Sequence, residues 1–102
     1  MIASVRFKPE RLADGARMFE KIAEAVEAEE PGAYTYLFTA DSQDAGLMWN
    51  FERYEDEQYL RRIHAPRDDV QKNMRDQQDI RQPGGLHHWY WKQIAEVQNP
   101  GL

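Results

Sequence analysis

Apolar and polar positions mark out the elements of this chain. Ile2 to Phe7 alternates loosely and predicts a first strand, ended by Lys8-Pro9. Leu12, Ala16, Phe19, Ile22, Ala23 and Val26 then recur at three and four, the apolar stripe of a helix within residues 10–30. Arg17, Glu20, Lys21, Glu24 and Glu27 form its polar face. Gly15 weakens the first turn, so regular helix is expected from Asp14, a good N-cap, and Pro31-Gly32 stops it. Ala33 to Thr39 is aromatic and β-branched and predicts strand two. The polar run 41–46 turns the chain into strand three, where Leu47-Met48-Trp49-Asn50-Phe51 carries bulky side chains at both parities, as a strand covered on both faces would. Asp56 caps a short helix reaching His64, and Pro66 breaks it. Residues 67–80 follow as a weakly apolar segment with Val70, Met74 and Ile80. Pro83-Gly84-Gly85 reads as a turn, Leu86 to Ile94 as strand four and residues 95–102 as a loose tail.

The order β-α-β-β-α-β predicts one α+β domain over residues 1–102, with a core at 2–94: the ferredoxin-like split βαβ fold, a four-stranded antiparallel sheet with helices on one face. Strand parity sets Tyr34, Tyr36 and Phe38 against Leu37 and two threonines, and Met48, Asn50 and Tyr54 against Leu47, Trp49 and Phe51. Tyr90 and Ile94 fall opposite two strand-four tryptophans. A bare sheet face with such side chains is a large apolar patch, which soluble monomers avoid, so a homodimer is expected.

Composition narrows the function. A hydrophobic share of 41% is that of a globular chain, and a net charge of −5 disfavours nucleic acid. Arg61, Arg62 and Arg67 lie beside Asp68-Asp69 and read as a solvated helix face. The absence of cysteine removes disulfides, thiolate metal sites and cysteine nucleophiles. No run approaches the ~20 apolar residues of a membrane span, and no signal-peptide pattern opens the chain, which suggests a cytoplasmic protein. His87 and His88 adjoin in a strand and face opposite sides, so they cannot chelate one metal; no metal, haem or flavin is expected.

With those residues in hand, the chain resembles the antibiotic biosynthesis monooxygenase (ABM) domain of the dimeric α/β-barrel superfamily. Pro9 after strand one and Glu30-Pro31-Gly32-Ala33-Tyr34-Thr35-Tyr36 match the family's approach to strand two. Glu52-Arg53-Tyr54-Glu55-Asp56 with Leu60 is similar to its strand-to-helix junction, and His64 falls near a histidine usual at that helix end. The family spacing puts its histidine where Ile63 stands. On an α-helix the one-residue offset turns His64 by about 100°, away from the expected site. A second family histidine is missing, with Asp68 and Asp69 in that region. Cofactor-free oxygenases of the family carry an asparagine on strand three and an aromatic four residues on, which Asn50 and Tyr54 match. Haem degradation fits poorly, because Ser4 and Arg6 stand where that branch uses an asparagine.

Asn50 is the sharpest anomaly, since a buried amide left unpaired costs ~1–3 kcal/mol. The resemblance implies that Asn50 stabilises a substrate anion, that Tyr54 and Tyr36 orient an aromatic or polyketide-like molecule, and that His64 or a strand-four histidine such as His88 takes a proton. Met48, Glu52, Tyr59 and Met74 complete the candidate substrate-binding set. The implied reaction is deprotonation followed by reaction with dioxygen. A cyclase, isomerase or dehydratase would share the first step, and a non-catalytic dimeric ligand binder would need neither. Each of those candidates is equally satisfied by packing: tyrosine rings with rim hydroxyls, and an asparagine bonded to a loop.

Overall fold

A computed structural model of the chain describes residues 1–90. The strands are β1 (Ile2–Phe7), β2 (Ala33–Ala40), β3 (Leu47–Tyr54) and β4 (Arg81–Trp89), in one antiparallel sheet of order β2-β3-β1-β4. A 3₁₀ turn, Pro9–Arg11, leads into helix α1 (Leu12–Glu29). After β3 comes α2, one α-helical turn (Glu57–Tyr59) continued by a π-helical turn (Leu60–His64). Helix α3 (Asp68–Asp76) runs into a second 3₁₀ turn, Gln77–Asp79. This is the ferredoxin-like α+β arrangement. The expected tail and the residues of strand four beyond Tyr90, Trp91 and Ile94 among them, lie outside the described residues.

The apolar core sits at one end of the sheet. Val5, Phe7, Phe19, Met48 and Ile80 are buried together, with Leu12, Met18, Phe38 and Leu86 packed around them. Helix α1 starts at Leu12, two residues before the expected cap. Pro9 starts the 3₁₀ turn that leads in, and Asp14 pairs with Arg11 and Arg17 instead of capping. Gly15 is there for contact rather than flexibility: a Cβ at this position would lie 2.5 Å from the Phe7 ring. Asp56 caps α2 as expected, its carboxylate accepting from Tyr59 N–H at 2.8 Å.

Two β-bulges change the expected faces. Ala33 pairs with Tyr54 but Thr35 with Arg53, so Tyr34 is the extra residue; it is exposed, beneath the Arg53 guanidinium at 5.5 Å from its ring centre. It therefore does not share the Tyr36 and Phe38 face. In β4, Leu86 pairs with Val5 and Arg81 with Phe7, so Gln82 to Gly85 loop out opposite Arg6, with Gly84 at φ 67°. The expected turn at Pro83-Gly84-Gly85 is a bulge inside a strand that already runs from Arg81. The sheet face away from the helices exposes Leu37, Phe51 and Trp89, and Trp49 and Trp89 stack there at 6.1 Å.

Gly15→Ala should lower unfolding stability by ~1–3 kcal/mol, the cost of overpacking against a fully buried ring. Denaturant titration reads this directly; an unchanged midpoint would mean that α1 does not press on Phe7.

Candidate active site

Along the helix-facing side of β3 the lining changes from apolar to polar: Met48, Asn50, Glu52, Tyr54. Met48 belongs to the core. Asn50 is paired in register with Ala3 on one side and Phe38 on the other, and is 4% exposed. Its Oδ1 is buried without a hydrogen-bond partner among the described residues. A buried acceptor in that state costs free energy that a ligand hydroxyl or N–H would recover.

One pleat further, Glu52 lies opposite Tyr36 and is also buried. It accepts a hydrogen bond from the Tyr54 hydroxyl. Its Oε1 stands 3.8 Å from Nε2 of His64. The other imidazole nitrogen, Nδ1, faces Glu30, at 2.9 Å from Oε2 and 3.2 Å from Oε1. His64 and Glu30 are 4% and 3% exposed, so the ring is clamped between two buried carboxyl groups. Tyr36 and Tyr54 pack on it with ring centres at 5.1 and 5.2 Å. Tyr59 stacks on Tyr54 at 6.1 Å and accepts from Gly32 N–H. These three tyrosines are half-buried and form the rim.

The inward position of His64 corrects the rotation expected from its spacing. The π turn holds one residue more per turn, with Ala65 N–H donating to Leu60 O at 2.9 Å, a bond five residues back. That extra residue absorbs the offset. Ile63, at the spacing position, is left 49% exposed, and His64 takes the inward place.

Glu30 and Arg67 are the site residues that sequence reasoning missed. Arg67 is not on a solvated face. Its side chain is 15% exposed and reaches Glu29 at 2.7 Å, Asp69 at 2.8 Å and Glu30 at 3.5 Å. Its backbone N–H also donates to the His64 carbonyl at 3.1 Å. The signal available was a glutamate at a helix stop, directly before Pro31-Gly32.

Other candidates lie apart from this cluster. Met74 is half-buried and accepts weakly from Gln77 Nε2. His88 is on the helix side of β4, opposite Ala3, but exposed. His87 faces the other way, stacked on Trp89, as two-residue periodicity requires. A cavity of about 310 Å³ opens along α1, lined by Arg11, Asp14, Arg17, Lys21 and Asp76. None of the candidate residues borders it; the buried polar groups gather at the Glu30–His64–Glu52 cluster. Among the described residues, no group of three His, Cys, Asp or Glu side chains could hold a metal ion. His64 shows why: its two nitrogens point at different carboxylates.

Burial pushes the Glu52 carboxyl above its ordinary value, against the downward pull of the Tyr54 hydrogen bond and His64. Burial, then the charge of Glu52, raises both Tyr36 and Tyr54. Both phenols therefore stay protonated at neutral pH.

No family profile and no curated protein sequence matches the chain. Solved structures do. One from Bacteroides thetaiotaomicron is 21% identical, covers 99% of this chain and 90% of its own, and superposes with a TM-score of 0.80. One from Caulobacter crescentus is 22% identical over 78% of this chain and 74% of its own, TM-score 0.74. A third, from Deinococcus radiodurans, is 15% identical over 97% and 100%, TM-score 0.72. All three are named as candidate antibiotic biosynthesis monooxygenases. The fold defines a ferredoxin-like α+β domain, and more particularly the chain has the fold of the ABM-domain proteins. No helix among the described residues is long and apolar enough to cross a membrane.

The raised Glu52 sets a pH dependence. Above its unfolded value near 4.5, the unfolded chain releases this proton while the folded chain retains it, so the wild type loses stability until pH passes the raised folded value. Glu52→Gln keeps an acceptor for Tyr54 and removes the titration. Its stability relative to wild type should be flat below pH 4.5 and rise above it; a difference independent of pH would place Glu52 in an ordinary solvated environment.

Proposed function

We propose that this protein is a cofactor-independent oxygenase of small aromatic or polyketide-type molecules, working in the cytoplasm as a homodimer. The observation that carries the reading is the buried imidazole of His64, held between Glu30 and Glu52 over the sheet face that also carries Asn50. Such a cluster can take a proton and stabilise the anion left behind, and those are the tasks of a protein whose substrate supplies the electrons.

In this mechanism a phenolic or acidic C–H substrate docks at the rim formed by Tyr36, Tyr54 and Tyr59. Its proton moves to the Tyr54 oxygen as the Tyr54 proton passes to Glu52 and that of Glu52 to Nε2 of His64. The imidazolium is stabilised by the Glu30 carboxylate. Asn50 donates an Nδ2–H to the substrate oxygen that gains charge, while its unpaired Oδ1 accepts from a neighbouring substrate hydroxyl. The anion is then oxidised by dioxygen: an anthrone-type CH₂ becomes a C=O carrying one oxygen atom, and the second leaves as water. Glu52, first weighed as a substrate-binding residue, thereby becomes the proton's intermediate station. The homodimer rests on the exposed apolar face described above, which a second copy would cover.

Oxygen-electrode measurements with an anthrone or hydroquinone should show consumption of dioxygen with quinone formation. Asn50→Ala should reduce the rate by ~10²–10³, the usual cost of losing one preorganised group at a developing anion. Substrate conversion without oxygen uptake would make the protein a cyclase, isomerase or dehydratase, and an Asn50→Ala variant as fast as wild type would remove the anion site. Light scattering at micromolar concentration should return a dimer mass of about twice the 12.0 kDa chain. A monomer mass would refute the covered face.

A further inference from the structure

Glu30 closes α1 and touches no part of the proposed rim, so it is not placed to meet a substrate. Its side chain is 1% exposed, in a position where an ionised carboxyl is costly unless paired. Two groups pair it. The imidazole of His64 faces both of its oxygens, at 2.9 and 3.2 Å, and Arg67 stands 3.5 Å from Oε2. Arg67 is itself fixed by Glu29 and by both oxygens of Asp69, in a bidentate pair. The line Asp69–Arg67–Glu30 therefore runs from the surface to the buried ring of His64, acid, base and acid in turn. At the far side of the ring stand Glu52, Tyr54 and Tyr36.

We propose that Glu30, anchored by Arg67, is a positioning residue that holds His64 as its Nδ1–H tautomer and so presents the Nε2 lone pair to Glu52 and the rim. Only an acceptor at Nδ1 selects that tautomer, and a carboxylate can only accept. The same charge favours the imidazolium once a proton arrives, so Glu30 acts on the reaction through His64 without contacting the substrate. The π turn is the covalent half of this device: it delivers the ring, and Glu30 sets its rotation and protonation.

The first test needs no variant and no substrate. Nitrogen-15 chemical shifts of the wild-type imidazole at a pH where it is neutral should report Nδ1 protonated and Nε2 bare; the opposite tautomer overturns the proposal. The second test follows the same signal in variants. Glu30→Gln, which can donate as well as accept, should let the Nε2–H tautomer appear, and Glu30→Asp, which can only accept, should restore the Nδ1–H form; a ring that only packs on residue 30 would keep one tautomer in both. The third arm rests on the oxygenase reading: Glu30→Gln should lower kcat on the order of 10²-fold with KM little changed. If the protein consumes no oxygen with any substrate, that reading fails while the tautomer results stand. If it turns over and Glu30→Gln matches wild-type kcat, the positioning role fails.

Discussion

One imidazole held between two buried carboxyl groups organises the polar end of this domain. Placing Glu30 and Glu52 out of water is unfavourable for each alone, and two like charges around one ring would repel. The arrangement is tolerated because each carboxyl meets a different compensation. Glu30 has the His64 Nδ1 and Arg67. Glu52 has the Tyr54 hydroxyl and a tendency to keep its proton. Two carboxyls in distinct surroundings are thereby pushed into distinct roles, one an orienting charge and the other a proton carrier.

The rest of the fold serves that division. The apolar core, with Phe7 pressed against Gly15 and Met48 under Phe19, lies at the far end of the sheet and gives the structure its rigidity. Along β3 the lining passes from Met48 through the unpaired Asn50 to Glu52 and the rim at Tyr54, so one strand carries both the packing and the chemistry. The outward face of the same strand, with Phe51 and Trp49, is left for a second copy in the proposed dimer.

Much of this was legible in the residues. Two-residue alternation put Met48, Asn50 and Tyr54 on one face, and the apolar spacing at three and four located α1. Asp56 announced the start of α2. What escaped depends on backbone irregularity, which side-chain patterns do not encode. The bulge at Tyr34 interrupts an unbroken aromatic alternation, and the looped residues before Leu86 have the local composition of a turn. The π turn reverses the inference from helical rotation, because a bond five residues back turns the ring inward where a regular helix would bury Ile63. Glu30 and Arg67 were missed for another reason: charges beside a helix end are ordinarily solvated, and only the tertiary approach of α1 to the loop after α2 makes them interior.

The clamped His64 is tested most directly by a double-mutant cycle on unfolding free energy with Glu30→Gln, His64→Gln and the double variant. Residues in one buried network couple by ~0.5–3 kcal/mol, whereas residues that do not touch add independently. A coupling of ~1 kcal/mol or more at neutral pH is the predicted result. Additive single effects at neutral pH would mean that the imidazole and Glu30 are not partners, and the account built on them would fall.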